Sequence, residues 1–177
     1  ETELNLFFES AKLLEEIGYT RETLPALFIP NTYEVYWNMN AKDFIKRMQK
    51  EHDRFWNDAR MAKAEQIGLT PIQVSIVASL VEEETNANQE KTRVAGLYIN
   101  RLHKGMLLQA DPTIKFALQD FSIRRITNDM LEVDSPYNTY KYTGLPPGPI
   151  RLPSVQGLES VLNYEQHNYL YMCAKED

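Results

Sequence analysis

A carboxyl group carried on an apolar helical face is the feature of this sequence best suited to chemistry. In Val77-Ala78-Ser79-Leu80-Val81-Glu82-Glu83-Glu84-Thr85-Asn86, Val77, Leu80, Val81 and Glu84 stand at i, i+3, i+4 and i+7 and share one face of a helix. The same spacing turns Glu82 and Glu83 elsewhere. Apolar surroundings penalise the charged form of a carboxyl group, so its pKa rises and it can hold a proton near neutral pH, which is what a general acid needs. The pattern equally suits a carboxylate that ends the stripe in an ion pair or reaches water at the helix end.

Other polar residues could join it. A helix from about Lys91 to Leu102 puts Val94, Tyr98 and Arg101 on one face, so the arginine points inward. It is then either a partner in a core ion pair or a direct contact to substrate, and either role could put it close to Glu84. Asp111 followed by Pro112 reads as N-cap and first residue of a helix running to Leu118, and capping alone accounts for that aspartate. The competing role, a second catalytic carboxylate, extends to Asp120, Asp129, Glu132 and Asp134. Between Ser135 and Ile150 the chain is dense in tyrosine, proline and glycine, a rigid loop. Its tyrosine and asparagine side chains offer flat apolar faces plus donors and acceptors, which suits sugars; the alternative is a loop whose tyrosines cover the core edge.

The elements that must position these residues are marked by their punctuation. Leu4 to Ile17 reads as an amphipathic helix closed by Gly18, with Thr20 capping a short second one. Pro25 and Pro30 break the chain, and Thr32 to Trp37 alternates like a strand. Asn40 caps a long helix ending near Gly68. Thr70-Pro71-Ile72-Gln73 combines a capping threonine, a proline at the first helical position and a glutamine three residues after the cap, a well-specified start for the Glu84 helix. Asn86-Ala87-Asn88 is a turn, and Lys104 to Asp111 is a turn with a short strand carrying Gln109. The predicted fold class is α+β: helices around the Glu84 helix, with a small sheet from the Thr32, Leu107, Ile123 and Tyr169 regions. Residues 1–26 form an N-terminal helical segment and 27–177 the main domain.

Composition narrows the classes. With 177 residues, 43% hydrophobic and 11% aromatic, the chain can bury one sizeable core. A net charge of −6 without a basic block gives no phosphate-neutralising surface, which argues against nucleic acid as a partner. The single cysteine, Cys173, has no internal disulfide partner and no partner spacing for zinc, so neither a metal nor another cofactor is expected. No apolar run approaches a membrane span and no signal peptide is visible, and the chain starts at Glu1 without an initiator methionine; a soluble piece of something longer is expected.

Five ordered motifs carry a resemblance. They are Ala78-Ser79-Leu80-Val81-Glu82-Glu83-Glu84-Thr85, then Arg93-Val94-Ala95-Gly96-Leu97-Tyr98-Ile99-Asn100-Arg101-Leu102, Gly105-Met106-Leu107-Leu108-Gln109-Ala110-Asp111-Pro112-Thr113, Tyr137-Asn138-Thr139-Tyr140, and Gly144-Leu145-Pro146-Pro147-Gly148-Pro149-Ile150. Together they resemble the YceG-like endolytic murein transglycosylases over roughly Leu27 to Ala174, with Tyr169-Leu170-Tyr171 similar to the family's late strand. Glu83 stands where a lysine is common, and Ala110 where a threonine usually precedes Asp-Pro.

The resemblance implies a bacterial lytic transglycosylase that cuts peptidoglycan glycan strands internally and leaves 1,6-anhydro-MurNAc ends. It implies Glu84 as the catalytic acid, and Tyr137, Asn138 and Tyr140 as glycan-holding residues. Gln109, Asn100 and Arg101 follow as weaker candidates for the cleft wall. It further implies a location at the outer face of the cytoplasmic membrane, through a membrane helix that this sequence lacks, and partnership with peptidoglycan synthases. A two-carboxylate hydrolase and a non-catalytic murein-binding or division-scaffold module are the alternatives. A pyridoxal-phosphate lyase is disfavoured because no glycine-rich phosphate loop is present.

Overall fold

Residues 2–172 are described by a computed structural model, and Cys173 lies outside them. The α-helices are α1 Thr2–Glu9, α2 Ala11–Glu16, α3 Ala41–Phe55, α4 Asp58–Ile67, α5 Pro71–Glu84, α6 Lys91–His103, α7 Asp111–Leu118 and α8 Val155–Leu162, with 3₁₀ turns at Leu24–Leu27 and Met130–Glu132. Among the described residues there is no strand. None of their helices is by itself long and apolar enough to cross a membrane.

The start of α5 follows its sequence closely. The Thr70 hydroxyl accepts from the Gln73 amide at 3.3 Å, and the Gln73 side chain accepts from the Thr70 amide at 2.9 Å, so two of the orphan donors of the first turn are satisfied. Every residue from Val74 to Glu82 is buried. A helix apolar on all sides must be surrounded, and α5 is packed by α4, α6, α7 and α8. Val74, Val77, Leu80 and Val81 meet Ala95, Tyr98, Ile99, Leu158 and Val161 in the main core. A second cluster joins Leu14, Leu24, Leu27, Ile45 and Met48, so the segment from α1 to the first 3₁₀ turn shares a small core with α3, edged by Phe7, Phe8, Phe28 and Phe44.

The structure corrects the expected α+β class: the described residues form a helical fold without a sheet. Of the segments taken for strands, those around Leu107 and Tyr169 have carbonyls claimed by the side chains of Asn100 and Arg101 instead of by a neighbouring strand. Residues 165–171 lie along α6, where the Asn100 amide donates to the carbonyls of His167 (2.7 Å) and Tyr169 (3.1 Å), and Arg101 donates to that of Leu170 (2.6 Å). Gly96 permits this approach, since a Cβ there would stand 2.4 Å from the Glu165 carbonyl oxygen. The Thr32 to Trp37 segment has no regular structure, and Trp37 is almost fully exposed.

Two helices predicted as continuous are broken by caps. Ser10 ends α1 and accepts from the Leu13 amide to open α2. Asn57 accepts from the Arg60 amide at 3.1 Å and opens α4 after a turn at Trp56. In each case a side chain able to replace a helical hydrogen bond outcompetes continuation. Thr20 binds Thr23 within a turn and caps no helix.

Glu82 does not turn away from the core, as its spacing predicts; it is buried. It accepts from Lys91 Nζ at the start of α6 (3.1 Å) and from the Ser154 amide (3.0 Å) and hydroxyl at the cap of α8. Gly157 leaves room for it, because a Cβ there would fall 2.8 Å from the carboxyl group. Burial pushes the Glu82 pKa up, but the Ser154 and Lys91 hydrogen bonds outweigh it and hold the group below the usual carboxylate range. Glu82→Ala leaves the Lys91 ammonium buried and unpaired, and urea unfolding at neutral pH is expected to show a loss of about 3 kcal/mol. A folded-state pKa below the unfolded one stabilises above the unfolded value, so the deficit shrinks as pH falls through the folded pKa.

Candidate active site

Two helix ends and the middle of a third helix meet where α5 stops. Glu84 is its last residue, Tyr98 projects from the middle of α6, and Asp111 begins α7. The Tyr98 hydroxyl, on a ring 1% exposed, donates to Glu84 Oε2 at 3.2 Å. The Tyr140 hydroxyl donates to Asp111 Oδ1. With Leu97, Arg101, Leu108, Gln109, Tyr171 and Met172 these residues line an open cleft of about 300 Å³.

Glu84 is exposed toward the open cleft, and its carboxyl group is partly desolvated where Tyr98 meets it. Desolvation pushes its pKa above the ordinary glutamate value; the Tyr98 hydrogen bond opposes the rise and the Asp111 charge adds to it. Burial, then the Glu84 charge, raises Tyr98 well above the normal phenol range. Tyr140 is likewise raised, by burial first and by its bond to Asp111 next. Both phenols are therefore neutral donors at any physiological pH.

The buried Arg101 builds both walls. Its guanidinium donates to the carbonyls of Leu107 and Leu108 at 3.0 Å each, to Gln109 Oε1 at 3.1 Å and to the Leu170 carbonyl at 2.6 Å, and it lies 5.0 Å from the centre of the Tyr171 ring. It holds no ion pair with the described residues, and carbonyl and amide oxygens carry the satisfaction of its charge. Gln109 sits at φ 52°, in the left-handed region. That conformation is fixed by Arg101 and by the Gln109 amide donating to the Thr139 carbonyl at 3.1 Å. Thr139 also accepts from the Ala110 amide (3.0 Å) and pairs with the Thr113 hydroxyl (2.9 Å).

Of the residues selected from sequence, Glu84, Arg101, Gln109 and Tyr140 are brought together in the cleft. Asn138 is fully buried behind it: its amide donates to the carbonyls of Leu131 and Val133 at 2.8 Å each, and its oxygen accepts from the Tyr140 amide at 2.9 Å. The Tyr137 ring packs on Phe116 with centroids 4.6 Å apart. Asn100 faces residues 167–169 on another side of α6. Asp111 is corrected: the cap of α7 is Ala110, and the Asp111 carboxylate meets Tyr140 instead of capping. Tyr98 was legible, since it shares the inward face of Arg101. Tyr171 carried no signal beyond an extended pattern. Among the described residues no three His, Cys, Asp or Glu side chains converge so as to hold a metal ion.

The class defined here is a helical domain with one desolvated, phenol-bonded glutamic acid in an open cleft. The chain belongs to the YceG-like family, whose model matches residues 3–177. It is 36% identical over 138 residues to an endolytic murein transglycosylase of Bacillus subtilis, covering 78% of this chain and 38% of that protein. A second endolytic murein transglycosylase, from Streptococcus pneumoniae, is 30% identical over 158 residues, covering 87% of this chain and 28% of that protein. The chain thus spans about a third of the length of these relatives. The crystal structure of a putative yceG-like protein from Listeria monocytogenes superposes with a TM-score of 0.72 at 31% identity, over 98% of this chain and 57% of that one.

The two neighbours of Glu84 act on its pKa in opposite directions. Tyr98→Phe removes a bond to the carboxylate and is expected to raise that pKa; Asp111→Asn removes a repelling charge and is expected to lower it. Carboxyl-carbon NMR titration of the glutamate reads both, and equal midpoints in the two variants would contradict this electrostatic account.

Proposed function

We propose that this chain is the catalytic part of a lytic transglycosylase that cuts peptidoglycan strands internally, at the bond between N-acetylmuramic acid and N-acetylglucosamine. The observation that carries the reading is Glu84: a carboxyl group with a raised pKa in an open, polar-walled cleft, in a chain related to proteins named endolytic murein transglycosylases. Such a group can be protonated at rest and donate to the glycosidic oxygen as the bond to C1 breaks. The carboxylate so formed then accepts the proton of the C6 hydroxyl of the same sugar, whose oxygen closes on C1. Each proton given is regained, and no water enters.

Tyr98 steadies the carboxylate between the two steps by donating to it. Gln109 and Tyr140 hold the glycan in the cleft, with Asp111 orienting the Tyr140 hydroxyl. Asn138 and Tyr137 act by shaping the loop that presents Tyr140, and Asn100 and Arg101 by fixing the opposite wall. The catalytic unit runs over residues 27–177, with Leu14 and Leu24 of the preceding segment packed against α3. The work belongs to the cell envelope, at the outer face of the cytoplasmic membrane and alongside peptidoglycan synthases.

One observation favours a second reading. Asp111 lies in the same cleft as Glu84, as a two-carboxylate hydrolase would need for activating water. Product masses separate the two. Purified peptidoglycan incubated with the protein is expected to yield anhydro-muropeptides, with Glu84→Gln slowing their release by about 10²- to 10⁴-fold. Glu84-dependent products with reducing ends, lost also in Asp111→Asn, would establish hydrolysis instead.

A further inference from the structure

Beyond the cleft, residues 164–172 form a strip outside any helix that carries the rings of His167, Tyr169 and Tyr171 beside the amides of Gln166 and Asn168. The imidazole of His167 stacks on the Tyr169 ring at 4.4 Å and 28°. Tyr171 lines the catalytic cleft. At the other end of the row, His167 joins Asn100, Tyr164, Gln166 and Asn168 around a second depression of about 400 Å³.

The strip is held from beneath, so its outer groups stay accessible. The Glu165 amide donates to the Thr92 carbonyl (2.9 Å), His167 Nε2 to the Arg93 carbonyl (2.9 Å), and Asn100 and Arg101 bind the carbonyls of residues 167, 169 and 170. Tyr169 and Tyr171 are 57% and 71% exposed. The side chains of Gln166 and Asn168 are exposed and make no hydrogen bond among the described residues.

We infer that residues 164–171 are an auxiliary glycan-binding platform that extends the cleft outward, with Tyr169 and Tyr171 receiving sugar faces and Gln166 and Asn168 bonding hydroxyl or acetamido groups. An aromatic row ending in an amide-lined depression matches a polymer of alternating apolar faces and polar edges. Its continuity with the cleft through Tyr171 makes the occupant the same strand that the cleft cuts, so this inference rests on the proposed substrate class. The consequence is preference for long strands: a short fragment fills only the cleft, whereas a long one also engages the platform.

The test uses the Glu84→Gln protein, which keeps strands intact, with and without Gln166→Ala, Asn168→Ala and Tyr169→Ala together. Binding to long peptidoglycan strands and to a single tetrasaccharide is measured by calorimetry, with circular dichroism to verify the fold. We expect the triple change to weaken long-strand binding about tenfold while leaving the tetrasaccharide unaffected. Unchanged long-strand affinity in a folded triple variant would overturn the platform, as would an equal loss on both ligands. The anhydro-product assay of the parent protein reads the proposed reaction separately: a parent that binds strands through the platform but releases no anhydro ends would sink the reaction and leave the platform standing.

Discussion

A helix without a polar side constrains this whole molecule. Because α5 is apolar or small on every face from Val74 to Ser79 and beyond, it must be covered in all directions, and α4, α6, α7 and α8 supply the cover. The acids at its C-terminal end then have to be resolved one by one. Glu82 remains inside the packed region and is tolerable only because Lys91 and Ser154 reach it. Glu83 lies at the surface against Arg151 at 2.8 Å. Glu84 emerges where the covering helices part, and the parting is the cleft.

The cleft keeps its shape through a single buried cation. Arg101 has carbonyl and amide oxygens as partners, from two separate stretches of chain, so it ties Leu107–Gln109 on one wall to Leu170 on the other. Forked, fixed donors suit this task better than an ammonium would. Its charge also opposes the rise that burial and the neighbouring carboxylates cause in Tyr98 and Tyr140.

Much of this is legible in the sequence. The capping box at Thr70, the inward face of Tyr98 and Arg101, and the helix between Asp111 and Leu118 all follow from local rules, because caps and helical periodicity are decided within a few residues. The predicted sheet failed because alternation reports an extended backbone and a two-sided environment, not a partner strand; here Asn100 and Arg101 take the place of that partner. Asp111 was misread for a related reason. Asp-Pro before a helix fits capping, but Ala110 occupies the cap, and the aspartate's real partner is Tyr140, far along the chain.

By itself the sequence determined the position of the acid on its helix, the start of that helix and the family motifs, all consequences of short-range spacing. Only the tertiary structure decided what surrounds the acid: that Glu82 is buried with Lys91, that Tyr98 donates to Glu84, and that Asn138 braces the loop from inside. Desolvation and hydrogen-bond partners depend on elements brought together from distant parts of the chain, and no local pattern encodes which of three consecutive glutamates those elements will enclose, satisfy or leave open to a cleft.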